Sequence, residues 1–143
     1  MKVRDLHGNV STWKPTGDIV TAGDSRRRSK LHVEARKILY ELFPTMRILE
    51  EVPIKPRSKT QFLDFFINNI KLAVEVHGQQ HYKFNTMYHA SAQDFLNQRK
   101  NDTDKRDWCE TNNITLIELP YDKKVEEWKE IIQSRIVTGK HGT

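Results

Sequence analysis

Four titratable side chains, Asp64, Glu75, His77 and His81, sit in one apolar stretch, "FLDFFINNIKLAVEVHGQQHY", from Phe62 to Tyr82. Burying a lone carboxylate is costly, so carboxylates among such neighbours need a hydrogen-bond partner or a cation. The stretch reads as two strands around Asn68-Asn69, because asparagine tolerates the left-handed conformation of two-residue hairpin turns. Such a turn pairs Ile67 with Ile70 and, counting outward, Asp64 with Ala73. Asp64, Ala73, Glu75 and His77 then point to one side, and Leu63, Phe65, Leu72, Val74 and Val76 to the other. Asp64 and Glu75 become diagonal neighbours, roughly 7–8 Å apart at the backbone. A slip of one residue would put them on opposite faces.

Two carboxylates converging in this way suit a hard divalent ion. Mg²⁺ is expected, with Mn²⁺ as a substitute, because Mg²⁺ takes one or two carboxylates and fills its other positions with water and phosphate oxygens. Such an ion supports in-line hydrolysis of a phosphodiester. His77, on the same face, is placed to act as general base or proton shuttle. His81 taken alone reads as a structural histidine, and His7, His32 and His89 carry no functional expectation. Gly78 ends the strand or admits close approach of a backbone.

The positioning elements follow from periodicity. In "SKLHVEARKILYELF", Leu31, Ala35, Ile38 and Leu42 recur at helical spacing, with Glu34 at the rim of the stripe and Pro44 ending the helix. "MRILEEVPI" is a strand, followed by strands over Gln61–Ile67 and Ile70–His77. A long helix spans "SAQDFLNQRKNDTDKRDWCETNN", closed by Asn112-Asn113, before the short strand "ITLIEL" and a last helix in "KKVEEWKEIIQSRI". The order is α-β-β-β-α-β-α, an α/β (α+β) fold around a mixed sheet flanked by helices. Residues 1–24 read as an N-terminal appendage in which "LHGNVSTW" forms a small hairpin; residues 25–143 form the main domain.

The 143 residues suit one core. No apolar run approaches a membrane span, and the N-terminus lacks the apolar region of a secretory signal. Cys109 is the only cysteine, which excludes an intrachain disulfide or a multi-cysteine zinc site. A cytoplasmic location is expected. The net charge of +5 suits a polyanionic partner. Basic residues gather at Arg26, Arg27, Arg28 and Lys30, at Lys55, Arg57 and Lys59, and at Arg99, Lys100, Lys105 and Arg106. Each group reads either as a solvated face or as a set of phosphate contacts with salt-sensitive affinity.

Taken together, a helix with Glu, a strand with Asp, a strand with Glu-x-His, a helix and a strand resemble the core of the PD-(D/E)XK, or restriction-endonuclease-like, nucleases. "FLDFFINNIKLAVEVHGQQHY" followed by "NDTDKRDWCETNNITLIEL" is most similar to the very-short-patch-repair branch, which includes bacterial domains and phage homing endonucleases. The likeness covers roughly Ser29 to Leu119. It implies a restriction-endonuclease-like αβββαβ core, with the helix glutamate at Glu34 and the metal-binding carboxylates at Asp64 and Glu75. It further implies a catalytic histidine at His77, a second histidine at His81, and a supporting aspartate at Asp104. With one cysteine the branch's structural zinc is not expected. Gln79 and Gln80 stand where the repair enzymes wedge aromatic side chains into DNA, so mismatch-specific nicking is not expected either.

The expectation is a metal-dependent DNA endonuclease of the homing, recombination, restriction or repair type in a bacterial or phage-infected cell. Asp64 and Glu75 hold the metal, assisted by Glu34, and His77 manages the proton, supported by His81 and Asp104. Arg26, Arg27, Arg28, Lys30, Arg99, Lys100 and Lys105 grip the nucleic acid. The rivals are a nuclease fold retired to nucleic-acid binding and an RNA-cleaving enzyme of the same architecture. A homodimer is the expectation for double-strand cleavage, whereas nicking needs one copy.

Overall fold

A computed structural model describes residues 1–19 and 29–141. Strands β1 (Lys2–Arg4) and β2 (Val10–Thr12) pair antiparallel as a small hairpin. The main sheet has the order β3-β4-β5-β6-β7, built from β3 (Asp18–Ile19), β4 (Leu49–Ile54), β5 (Gln61–Ile67), β6 (Leu72–His77) and β7 (Thr115–Pro120). Its pairs are antiparallel except β6–β7, which run parallel and are joined through helix α2 (Ala92–Thr111). Helices α1 (Lys30–Leu42) and α3 (Val125–His141) complete the mixed α+β fold.

Two cores form on the two faces of the sheet. On one face Phe65, Ile67, Leu72, Val74, Ile117 and Leu119 pack with Ala35, Ile38 and Leu39 of α1 and with Trp128 and Ile132 of α3. On the other, Phe66 and Ala73 pack with Trp108 and Cys109 of α2. The first 19 residues take part in this second core. Val3 is buried there, and Trp13 meets Phe66 and Trp108 edge-on at centroid distances of 5.2 and 5.1 Å. An aromatic pair adds to what burial alone contributes, so this segment is fastened to the domain.

Helices α1 and α2 start where a side chain takes up an orphan amide. Ser29 Oγ accepts from His32 N–H (3.1 Å) to open α1, and Ser91 Oγ accepts from Asp94 N–H (3.2 Å) to open α2. At the far end of α2, Asn112 caps the helix and Asn113 turns left-handed (φ 58°), which releases the chain into β7.

The β5–β6 turn differs from the two-residue hairpin expected. Residues 68–71 form the connection, with a single 3₁₀ turn over Asn68–Ile70 and Lys71 left-handed at φ 50°. Ile67 pairs with Leu72, Phe66 with Ala73 and Phe65 with Val74. The register is thus displaced by two residues, and because side chains alternate with period two, the sorting of the hairpin into faces survives. Leu63 is the exception: it packs in the second core with Val52 and Ile54. It lies next to the point opposite Glu51, whose left-handed φ of 54° breaks the regularity of β4.

Candidate active site

The β5–β6 ladder stops at the Phe65–Val74 pair, and continuing its register sets Asp64 across from Glu75. There the carboxylates take over from the backbone. Asp64 N–H donates to Glu75 Oε2 (2.6 Å), and Val76 N–H donates to Asp64 Oδ2 (2.8 Å). Side-chain oxygens bonded to the facing strand's amides must lie in the opening between the two strands. Both amides are satisfied by charge-assisted acceptors. Asp64 and Glu75 are therefore direct neighbours rather than the diagonal pair expected.

One cation answers this acid pair. Lys105 Nζ donates to Glu75 Oε1 at 2.7 Å, with Glu75 only 2% exposed. Burial acts against the ammonium, but Glu75 beside it outweighs that effect and raises the lysine pKa. Asp64 is pushed well above the usual carboxylate range, first by burial and then by the charge of Glu75. Glu51 adds to the same upward pressure on Asp64, since β4 places it opposite Asp64. Among the described residues a single lysine thus faces three carboxylates.

On the α1 side of β4, Glu50 is fully buried and bonds His32 Nε2 (2.6 Å), Arg36 Nε (2.6 Å) and Arg36 Nη2 (3.0 Å). Burial alone would raise the Glu50 pKa; the hydrogen bonds from His32 and Arg36 outweigh it and lower the pKa. His32 also stacks on Phe65 with centroids 4.4 Å apart. A ring nitrogen of His32 and carboxylate oxygens of Glu51 and Asp64 lie within 4.8 Å of one another.

Beyond Glu75 on β6, His77 and His81 stack in parallel, with centroids 4.1 Å apart and planes 4° from coplanar. Burial, and then the neighbouring His81, hold His77 down at about 4, so its imidazole is neutral at pH 7. Its Nδ1 lies 3.2 Å from Glu118 Oε2, and Glu118 is held by Arg106 through two bonds of 2.7 and 2.8 Å. His81 belongs to a chain whose donors and acceptors are mutually consistent. Asn85 N–H donates to His89 Nδ1, so His89 Nε2–H donates to Gln98 Oε1 (2.9 Å). Gln98 Nε2 then donates to His81 Nε2 (3.3 Å), which leaves the proton on His81 Nδ1 to be held by Asp102 Oδ2 (2.8 Å). A cleft of about 130 Å³ opens onto His77, Tyr82, Arg99 and Arg106. A larger hollow of about 330 Å³, lined by Trp13, Lys55 and Arg57, does not touch the acid pair.

The expected site residues divide accordingly. Asp64, Glu75, His77 and His81 come together. Asp104 does not: it lies 3.3 Å from Arg57 Nε, and Asp102 holds the histidine. The reason is helical geometry. Gln98, Asp102, Lys105 and Cys109 recur at three- and four-residue intervals on the face of α2 turned to the sheet, two positions away from Asp104. Lys105, expected to grip nucleic acid, instead turns inward to Glu75. Glu34 is half-buried and joins no cluster of metal-ligating groups among the described residues. The α1 stripe facing the sheet is His32, Ala35, Arg36 and Leu39, so His32 takes the inward position. Lys30, Arg99 and Lys100 are exposed, and the Arg99 guanidinium lies 5.7 Å over the Phe95 ring. Arg26, Arg27 and Arg28 lie outside the described residues.

Glu51, Glu118 and Asp102 carry no expectation from the sequence, although a signal exists for two of them. Glu118 interrupts the apolar strand "ITLIEL", and Asp102 shares the helical phase of Cys109, seven residues on. For Glu51, nothing short of its backbone conformation distinguishes it from Glu50.

Relatives occur among viral proteins. The chain is 31% identical over 136 residues to Uncharacterized protein 033L of invertebrate iridescent virus 3, an alignment covering 87% of this chain and 66% of that protein. It is 45% identical over 62 residues to Uncharacterized protein 307L of invertebrate iridescent virus 6, covering 43% of this chain and 32% of that protein. It is 38% identical over 63 residues to Uncharacterized protein 094L of frog virus 3, covering 43% and 41%. The chain thus spans less than two thirds of the length of each relative. No family model and no solved structure matches it. The likeness to these viral proteins is therefore one of sequence alone.

Proposed function

We propose that the chain is a divalent-metal-dependent endonuclease hydrolysing phosphodiester bonds in DNA. The observation that carries this reading is the interlocked Asp64–Glu75 pair at the splayed end of β5 and β6, answered among the described residues by Lys105 alone. Carboxylates this crowded are stabilised by a second positive charge, and Asp64 is raised first by burial and then by the charge of Glu75. The donor set therefore fits a divalent cation. Asp64 would hold it through Oδ1, which accepts no hydrogen bond among the described residues, and Glu75 through a lone pair left beside its bonds. When bound, the ion supplies charge against the phosphoryl oxygens and an acidified water.

The chain's own groups do the rest. Lys105 holds Glu75 Oε1 and keeps the carboxylate oriented toward Asp64. Neutral His77 has Nδ1 3.2 Å from Glu118 Oε2; with its proton on that nitrogen, a lone pair on Nε2 would be left to take a proton from a water in the cleft. His81 holds the His77 ring from below, and Asp102 and Gln98 hold His81. Arg99 and Arg106 at the cleft offer positive charge to a phosphate backbone.

The test is incubation of supercoiled plasmid, branched duplex DNA and single-stranded RNA with the protein in Mg²⁺ or Mn²⁺, with Asp64→Asn as control. Metal-dependent cleavage of DNA, absent in the control, is expected. Cleavage confined to RNA would replace the substrate; no cleavage of any substrate would overturn the reading.

One observation favours a second reading, a nuclease fold kept for nucleic-acid binding alone. Both Glu75 oxygens already accept hydrogen bonds, one of them from Lys105. Calorimetric titration with Mg²⁺ and Mn²⁺ separates the two, since a binding module gives neither heat nor cleavage.

A further inference from the structure

We propose that Asp64 shares its cation with Glu51 and His32, and that this site selects a first-row transition ion such as Mn²⁺ over Mg²⁺. The inference rests on the nuclease reading for the purpose of the ion, but not for its binding.

Three elements bring the ligands together: α1 supplies His32, β4 supplies Glu51 and β5 supplies Asp64, with one donor atom of each within 4.8 Å of the others. Donors around one ion with bonds of about 2.1 Å stand roughly 3 Å apart when adjacent and about 4.2 Å when opposite. From a mutual separation of 4.8 Å, each donor would close by about 1 Å to meet one ion.

The histidine is prepared for this role from behind. Glu50 accepts from Arg36 Nε (2.6 Å) and Nη2 (3.0 Å) and bonds His32 Nε2 at 2.6 Å. A proton on Nε2, donated to Glu50, leaves the lone pair on Nδ1. Carboxylate behind, imidazole between, metal in front is the arrangement by which proteins fix a ligating histidine's tautomer. Stacking on Phe65 fixes the plane of the ring as well. His32 is 5% exposed, and Nδ1 has no hydrogen-bond partner among the described residues. Neither Glu51 nor Asp64 Oδ1 forms a hydrogen bond or ion pair among them. Glu51 reaches its place only through a left-handed backbone, which costs a non-glycine residue on the order of 1–3 kcal/mol.

A second group, His77, His81 and Asp102, also meets a 4.8 Å separation. It makes a poor cage. Both His81 nitrogens are engaged, and two stacked rings direct their lone pairs along parallel planes that no single ion can meet.

The donor set decides the metal. Mg²⁺ prefers oxygen and holds several waters, whereas an imidazole joined to two carboxylates suits the borderline ions of the first transition row. Mn²⁺ serves as probe because it is paramagnetic. Titration of the full chain, followed by loss of the free Mn²⁺ electron-spin resonance signal, should reveal one site binding at least about tenfold more tightly than Mg²⁺ competes for it. Pulsed resonance should detect a directly bonded ¹⁴N, lost in His32→Gln and retained in His81→Gln. Glu51→Gln, which breaks no hydrogen bond, should weaken Mn²⁺ at least about tenfold and leave the circular dichroism spectrum unchanged. Absence of Mn²⁺ binding, an affinity untouched by Glu51→Gln, or a nitrogen signal that survives His32→Gln would overturn the proposal. Metal-dependent cleavage alongside those failures would leave the nuclease reading standing. A Mn²⁺ site that behaves as described without cleavage of any nucleic acid would sink the nuclease reading instead.

Discussion

Asp64 and Glu75 trade hydrogen bonds across the splayed end of β5 and β6. The Asp64 amide donates to Glu75 Oε2, and the Asp64 carboxylate accepts from Val76, the residue next to Glu75. The two acids thus serve as structural acceptors while being forced together, and only the charges are in conflict. Structure and charge are therefore separable by substitution.

Asp64→Asn keeps an oxygen for Val76 N–H and removes the penalised charge. Because burial and Glu75 raise the Asp64 pKa, the variant should melt at the wild-type temperature or a few degrees higher. Cleavage should fall at least about 100-fold. Thermal melting with a plasmid assay checks both; a fall in both together would make Asp64 a structural residue only.

Lys105→Met leaves Glu75 buried without its cation. A loss of about 3–5 kcal/mol is expected from removing one partner of a buried pair. Adding Glu75→Gln to the same chain should restore much of it, because the stranded charge goes too. Urea denaturation of the two single variants and the double variant measures this coupling.

Asp102 and Asp104 stand two residues apart with different partners. Asp102→Asn should disturb the His81 tautomer and reduce cleavage on the order of tenfold or more. Asp104→Asn weakens the bonds of a buried carboxylate to the part-exposed Arg57, away from the acid pair and the histidines, and should cut normally. Equal effects of the two would remove Asp102 from the site.

His77 makes stability depend on pH. Its pKa falls from 6.5 in the open chain to about 4 in the fold, so the unfolded chain binds more protons between those values. Stability contributed by the neutral ring is fully present above pH 6.5 and is lost as the pH drops toward 4. The span corresponds to on the order of 3 kcal/mol. His77→Gln should flatten the slope of unfolding free energy against pH across this window.

Arg99 and Lys100 are exposed on α2, whereas Lys105 is committed to Glu75. Replacing the first two by alanine should weaken DNA binding and lower the salt slope by about 0.9 for each phosphate no longer neutralised. Lys105→Met should leave that slope unchanged. Fluorescence anisotropy over a range of salt concentrations distinguishes them.

The sequence by itself determined the main helices and strands, the α+β class and, Leu63 apart, which hairpin side chains share a face. These depend on local periodicity, and parity survives a register displaced by two, which is why Asp64 and Glu75 meet although the expected pairing of Asp64 with Ala73 does not occur. What only the tertiary structure decided is which charge answers which. Lys105 reads as a surface cation and turns inward; Asp104 and Asp102 differ only in helical phase against the sheet; His32 and Glu51 come together from α1 and β4 through a left-handed residue. Ion pairing is set by distances between elements far apart in the chain and by how much water their packing excludes, and neither quantity is encoded in local spacing.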